Sequence, residues 1–439
     1  MTKSFVGGIH PPYRKHRTCT LPIERMEAPR IVVIPLLQHI GAVCTPMVTV
    51  GESVALGQKI GDSNAQIACP VHASVSGRVV AVENRPHPNG REVLSVVIEN
   101  DFHDEVHPSV QPKSIDHLSP VELVSWIREA GIVGMGGGGF PTHVKLTPPE
   151  GVALDAVLLN GAECEPYLTT DHRVMVEWAE DVMLGLRCIM KATGVRQGYI
   201  GVEANKQDAI VALTRVISGA TDIKVVPLAV KYPQGAEQQL IYACLGRRLP
   251  KGKRPLHIGV VVNNVHTAQA IAHSLRTGLP CVERVITVDG ECVERPGNVV
   301  VRIGTSFSDV LAARGLVGEP HKLLSGGPMM GIAMYTPSVP VCKCTSGILA
   351  LALTESPFAE AMTCVRCARC IDVCPMLIYP TLIAQYGERG RTEEAQKYGA
   401  LECHECGACT YVCPSRIPLV QWIRRAKSDI YAERSRAQA

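Results

Sequence analysis

Cys364-Val365-Arg366-Cys367-Ala368-Arg369-Cys370-Ile371-Asp372-Val373-Cys374-Pro375 recurs 39 positions later as Cys403-His404-Glu405-Cys406-Gly407-Ala408-Cys409-Thr410-Tyr411-Val412-Cys413-Pro414. Both copies carry the C-x2-C-x2-C-x3-C-P spacing in which the fourth cysteine of each run ligates the other run's cluster. Three thiolates in one tight loop converge on three irons of one cube, and the proline ends the loop and starts a return helix. On that rule one [4Fe–4S] cluster takes Cys364, Cys367, Cys370 and Cys413, and the other takes Cys403, Cys406, Cys409 and Cys374. Structural zinc is the rival, but it prefers two CxxC pairs set well apart over four cysteines in one short run. The spacing therefore predicts a helical two-cluster ferredoxin-like domain over residues 346–439.

Composition agrees with a redox protein and excludes other classes. The 439 residues allow roughly three domains at about 100–200 residues each. The 44 Lys and Arg nearly balance the 41 Asp and Glu, so the basic excess of a nucleic-acid binder is missing. No run reaches about 18 apolar residues, and the N-terminus has no apolar signal core. The chain is expected in the cytoplasm, where 18 cysteines are poor disulfide candidates. Cys342-Lys343-Cys344 suits neither a disulfide nor a cluster and is read as structural. Cys19, Cys44, Cys69, Cys188, Cys244, Cys281 and Cys292 are scattered, as small buried hydrophobes are.

Upstream of the cysteine runs three further domains are expected. Residues 1–112 read as β-rich, with short apolar runs such as Ile31–Ile34 and Val93–Ile98 between Gly, Pro and Asn turns. Residues 113–280 alternate helical and strand patterns: amphipathic Val121–Ala130, strand Ala156–Leu159, helical Met175–Ala192, then strands Tyr199–Val202 and Ile223–Val230. That alternation predicts an α/β layer with a parallel sheet. Residues 281–345 read as a small α+β unit. From Leu419 a basic amphipathic helix carries Arg424, Arg425, Lys427, Arg434 and Arg436, which reads as a solvated face.

Gly134-Met135-Gly136-Gly137-Gly138-Gly139-Phe140-Pro141-Thr142-His143-Val144-Lys145 follows the first amphipathic helix. Consecutive glycines let backbone amides approach a phosphate, and a lysine beyond them adds charge. The stretch fits neither the P-loop nor the Rossmann fingerprint. Further on come Asn160-Gly161-Ala162-Glu163-Cys164-Glu165-Pro166, Tyr232-Pro233-Gln234-Gly235-Ala236-Glu237 and Val261-Val262-Asn263-Asn264-Val265. Acidic and amide side chains at strand ends are able to hold ribityl and ribose hydroxyls at a sheet's carboxyl edge.

The order and spacing of these four segments resemble the flavin-binding subunit of respiratory complex I. That resemblance implies an FMN site with Gly134, Gly136, Gly137, Lys145, Asn160, Glu163, Asn263 and Asn264 at flavin-contacting positions, and Glu165 and Glu237 near the NADH side. Met135 stands where that family has an Arg, and Ala162 where it has an Asp. The stretch Val50–Gly77 resembles the hammerhead of biotinyl and lipoyl carrier domains. No lysine stands at the Pro70–Gly77 turn where such a cofactor would be attached, so a scaffold role is expected.

A likeness covering nearly the whole chain is to the RnfC family, the NADH-side subunits of Rnf ion-translocating ferredoxin:NAD oxidoreductases. It rests on Phe5-Val6-Gly7-Gly8-Ile9-His10-Pro11-Pro12, Pro70–Gly77, the GGGGFPTH loop and the paired cysteine runs. It implies a multidomain α/β and α+β protein: a β-rich hammerhead (barrel-sandwich) domain, an α/β flavin-binding domain, a small β-grasp (SLBB) domain and the two-cluster domain. It also implies two [4Fe–4S] clusters, FMN and NAD(H) as cofactors. The implied partners are the other members of the complex, one a ferredoxin-like cluster protein and the rest integral to the membrane. The implied place is the cytoplasmic face of the inner membrane. Two other readings remain open at this point: a cobalamin reductase of the propanediol-utilisation type, and a non-catalytic electron wire.

Overall fold

The computed structural model of the chain describes residues 2–356 and 360–438. The hammerhead consists of a four-stranded sheet in the order Ile31–Pro35, Glu92–Asn100, Gly77–Pro86, Ser53–Val54 and a three-stranded sheet of Thr45–Pro46, Lys59–Asp62 and Val71–His72. Inward residues such as Val32, Ile34, Ile60, Val96 and Ile98 fill one core. The turn where a carrier lysine would stand is buried, and Ser74 Oγ donates to Ile303 O of the third unit at 2.5 Å. A swinging arm has no room there, in keeping with the expected scaffold role.

The second unit is a parallel sheet in the order Ile223–Leu228, Gly198–Glu203, Ala156–Gly161, Val260–Asn264. Side chains alternate across it: Val157 and Leu159 enter one core, Ala156 and Leu158 the other. Helix Pro120–Glu129 starts at a capping box of Ser119 and Glu122, as its sequence pattern requires. The stretch that reads as one helix from Met175 is two, Thr170–Glu177 and Ala179–Thr193, broken at Trp178. In the second of these Gly185 lies against helix Val265–Thr277, and a Cβ there would stand 1.8 Å from Ala268 O. Gly185→Ala is therefore expected to cost about 3 kcal/mol or more, the upper end for an overpacked interior, measurable as a lowered denaturant midpoint.

The third unit is a six-stranded mixed sheet in the order Ile23–Arg25, Gly297–Arg302, Glu283–Asp289, Gly347–Leu351, Lys322–Ser325, Ile332–Ala333. Its first strand comes from the N-terminal segment, pairing Ile23 with Asn298 in parallel. Residues before Ile23 also lie away from the hammerhead. Lys3 bridges to Leu228, and Ile9 exchanges backbone hydrogen bonds with Tyr232. Sequence pattern assigns this segment to the first domain because short apolar runs do not announce which sheet they will join.

Short helices make up the fourth unit, closed by helix Leu419–Gln438 packed on helix Pro380–Glu388. Of the seven scattered cysteines six are buried and Cys19 is half-buried, as expected of small apolar side chains. Among the described residues no helix is long and apolar enough to cross a membrane.

Candidate functional site

The two cysteine runs fold as near copies. Arg366, Ala368 and Leu377 in the first run have φ of 54°, 61° and 54°, and the matching Glu405, Gly407 and Arg416 have 56°, 76° and 53°. A left-handed conformation costs a non-glycine residue roughly 1–2 kcal/mol, so its repetition at matched positions marks loops held for a purpose. Such turns aim successive backbone N–H groups into a concavity that suits an anionic group. Each loop leads into a one-turn helix, Arg369–Asp372 or Ala408–Tyr411, and the two helices touch.

The first three thiols of the second run are buried together with Cys374. Burial pushes Cys403 up to about 12 and Cys406 up to about 11, with Cys409 higher still, and the nearby Cys374 thiol adds to the rise at all three. Cys374 thus lies among the thiols of both runs, with Cys370 of its own run also raising it. At the other end Ser415 Oγ donates to Thr363 O at 2.9 Å and Met362 N to Ser415 O at 2.8 Å, joining the start of the first run to the end of the second. Among the described residues no three His, Cys, Asp or Glu side chains are close enough to share one metal ion. A cube does not ask for that, since each of its four irons takes one thiolate.

The runs differ in surroundings. Cys374, Cys406 and Cys409 are buried and Cys403 half-buried, whereas Cys367 is exposed and Cys364, Cys370 and Cys413 half-buried. The flavin-type domain touches both runs: the Tyr232 hydroxyl donates to Cys406 O of the second loop at 2.6 Å, and Gln239 Nε2 to Pro375 O at the end of the first at 3.1 Å. The N-terminal strap joins in, with Gly8 N donating to Val373 O at 2.8 Å. Gly7 has φ +78°, and a Cβ there would press on Cys374 O at 3.0 Å, so glycine is needed. Two cations expected on a solvated helix face are instead committed here: Arg424 and Lys427 clasp Glu405, and Lys427 also donates to Cys403 O.

Tyr232 opens the segment that leads into a second site, at the carboxyl edge of the parallel sheet. Asn264 is in register with Asn160 on the neighbouring strand. Asn160 Nδ2 donates to Gly235 O at 2.8 Å, and a Cβ on Gly136 would lie 3.2 Å from Asn264 Cβ. Lys145 Nζ donates to Val262 O at 2.7 Å and pairs with Glu237 at 3.3 Å. Gly134, Gly136, Lys145, Asn160, Glu237, Asn263 and Asn264 are thereby brought to one edge. The glycine loop closes on itself through Gly134 N to Phe140 O and Gly139 N to Gly134 O. Gly137 (φ +97°) and Gly138 face open space, a cradle that a side chain would fill. Asn263 Nδ2 and both polar atoms of Gln234 are buried without a partner among the described residues. Open backbone and unpaired amides together fit a ligand rich in oxygen and hydroxyl groups, as FMN is.

Glu163 and Glu165 lie at the same turn but are engaged. Glu163, at φ +48°, accepts from the N–H groups of Asp171 and His172 at the start of helix Thr170–Glu177. Burial lifts it to about 7. Glu165, also lifted to about 7 by burial, accepts from Met329 N and Met330 N of the third unit at 3.0 and 2.8 Å. Met135, which stands where the complex I relatives have an Arg, is buried in the domain core, and its N donates to Thr267 Oγ1 at 2.9 Å. Sequence reasoning missed Tyr232, Gln234 and two fully buried lysines. Lys15 Nζ donates to Glu163 O, and Lys206 Nζ to Ala162 O at 2.6 Å, so the carbonyls of the turn are pinned from below. No spacing rule ties Lys15 to residue 163.

Comparison with known proteins adds the following. Four family models match in sequence order: the RnfC barrel sandwich hybrid domain over residues 3–103, the Nuo51 FMN-binding domain over 127–273, the SLBB domain over 285–333 and the 4Fe-4S dicluster domain over 356–414. The chain is 47% identical over 433 residues to the corresponding member of the Na(+)-translocating ferredoxin:NAD(+) oxidoreductase complex of Acetobacterium woodii, covering 98% of each. To its counterpart in the proton-translocating ferredoxin:NAD(+) oxidoreductase complex of Clostridium ljungdahlii it is 43% identical, covering 100% of this chain and 96% of that one. Among solved structures, an air-oxidized NAD+-reducing [NiFe]-hydrogenase chain shares the fold at 19% identity with a TM-score of 0.52, over 74% of this chain and 64% of that one.

Proposed function

The chain belongs to the RnfC family, and from that premise we propose that it exchanges electrons between NAD(H), FMN and two [4Fe–4S] clusters as a peripheral member of an ion-translocating ferredoxin:NAD oxidoreductase complex. Likeness to these relatives along essentially the full length leaves the cobalamin-reductase and electron-wire readings without support. The observation that carries the reading is Tyr232. Its segment lies beside the sheet-edge crevice, and its hydroxyl holds the Cys406 loop.

FMN supplies the conversion between two-electron hydride chemistry and single electrons. The chain's residues do the rest. Gly134, Gly136, Gly137 and Lys145 receive the phosphate end, while Asn160, Asn263 and Asn264 orient polar groups at the strand ends. Glu163 and Glu165 shape the turn through the N–H groups they hold, and Glu237 pairs with Lys145 at the entrance. Cys403, Cys406, Cys409 and Cys374 would hold one cluster, the inner, on the side of Tyr232, and Cys364, Cys367, Cys370 and Cys413 the other, the outer. Bound there, the two clusters would supply one-electron carriers beside the flavin. The domains are taken as 1–112, 113–280, 281–345 and 346–439, except that strands Ile23–Arg25 and Gly347–Leu351 belong to the sheet of the third, because both pair into it, and the strap before Ile23 lies on the second and fourth. Attachment to the cytoplasmic face of the membrane is through partner proteins of the complex.

Anaerobically purified protein should contain close to one FMN, eight irons and eight labile sulfides per chain. Zinc without labile sulfide, or iron without flavin, would overturn the reading. Tyr232→Phe leaves Cys406 O buried and unpaired, which costs about 1–3 kcal/mol. The expected result is normal flavin and iron content, a lowered unfolding midpoint, and slower reduction of the clusters by NADH in stopped flow.

A further inference from the structure

We propose that the cleft between helix Val265–Thr277 and the sheet of the third unit binds a small, neutral, planar heterocycle with hydrogen-bonding groups on its edge, of the kind that purines and pyridine amides present.

The cleft has a volume of about 240 Å³. That is room for far more than one water, and it approaches the lower end of small-molecule sites, roughly 300–1,000 Å³. Met135, Trp178, Val285 and Val300 give it apolar walls. Trp178 stands where helix Thr170–Glu177 breaks from helix Ala179–Thr193, and its flat face suits a stacked ring. Gly137, Gly138, Lys145, Asn160, Asn263 and Asn264 do not line the cleft, so it is separate from the crevice assigned to the flavin. Met135 is the residue it shares with the glycine loop.

The charges around the cleft are already matched. Arg25 is bidentate to Glu283 at 2.7 and 2.9 Å, and Arg276 pairs with Asp181 at 2.7 Å. Arg284 is buried and donates to Val285 O, Lys343 O and Met135 O. An ionic ligand would have to break one of these sets or lie there uncompensated, which points to an uncharged occupant.

What the walls leave over is neutral hydrogen-bonding capacity on one face of the helix. His266 is 2% exposed and lines the cleft, and its Nδ1 has no partner among the described residues. Burial and the Arg284 cation hold its ring well below the usual histidine range, so it stays neutral and offers one donor and one acceptor. Three positions on, Gln269 is 7% exposed and lines the same cleft, and its amide makes no hydrogen bond among the described residues. A further turn along, His273 Nε2 is also without a hydrogen bond, 4.0 Å from Glu283. Buried polar groups are normally paired, so three that converge on one apolar-walled cleft mark a place that a ligand completes.

The test is isothermal titration of the full chain, with its cofactors, by adenosine and by nicotinamide. The first probe stands for a purine source and the second for a pyridine amide. At least one of them should bind saturably at one site per chain. Gln269→Leu keeps the bulk of the side chain and should weaken that binding at least about tenfold. Its ligand-free melting temperature should equal or exceed that of wild type, because an unpaired buried amide is gone. Its iron, flavin and NADH:ferricyanide activity should match wild type. Ala270→Phe, which fills the cleft from the same helix face, should abolish binding. Gly138→Val, filled at the flavin crevice instead, should bind as wild type does. Saturable binding of neither probe would show a cleft that holds only water and overturn the proposal. Unchanged affinity in Gln269→Leu, or loss of binding in Gly138→Val, would place the ligand elsewhere and overturn it equally.

Discussion

Cys374→Ala is expected to remove the inner cluster and spare the outer one, so that iron falls from about eight to about four per chain. The side chain sits in sequence at the end of the first run, yet the spacing rule gives it to the cluster of Cys403, Cys406 and Cys409, whose thiols it neighbours. Alanine leaves three thiolates for four irons at a buried site where solvent is poorly placed to serve as a fourth ligand. Cys364, Cys367, Cys370 and Cys413 keep their positions, because Met362, Thr363 and Ser415 still tie the ends of that set together. NADH should still bleach the flavin, while reduction of the surviving cluster through the protein should drop to background. Spectroscopic loss of the Cys364–Cys367–Cys370 cluster in this variant would sink the crossed assignment.

The second large effect is at the glycine loop. Gly138→Val should abolish flavin binding and leave the fold intact. A Cβ there meets nothing within 4 Å, and the backbone does not need a left-handed residue, so the apoprotein has no reason to lose more than about 0.5 kcal/mol. The new side chain would fill the space in which backbone and ligand are expected to meet. Gly136→Val is a less clean test, since its Cβ would crowd Asn264 at 3.2–3.3 Å and shift a residue that is itself part of the site. Lys145→Ala should act more gently, by about 1.5–3 kcal/mol for one charge-assisted contact. Fluorescence of flavin released on denaturation measures each. Unchanged flavin in Gly138→Val, with normal iron, would place the cofactor away from this loop.

Much of the site was legible because the chemistry is local. Cluster loops and a glycine cradle depend on residues a few positions apart, so spacing alone exposes them. Asn160, Asn263 and Asn264 were legible through the resemblance to the complex I flavin-binding subunit, and the parallel pairing of their two strands brings them together. Glu163 and Glu165 show the limit. Their position in the turn was readable, but their bonds to Asp171, His172, Met329 and Met330 were not.

By itself the sequence determined four units, their order and the eight cysteines of the paired runs. Each of these follows from short-range periodicity or spacing. Only the tertiary structure decided that the strap before Ile23 leaves its own domain, that Lys15 and Lys206 pin the flavin-side turn, and that the Cys403 loop rather than the Cys364 loop faces the crevice. The two loops are nearly equivalent as sequence and as backbone. What separates them is which one finds Tyr232 and Met329 across a domain boundary, and contacts between residues so far apart in the chain leave no period for a sequence to display.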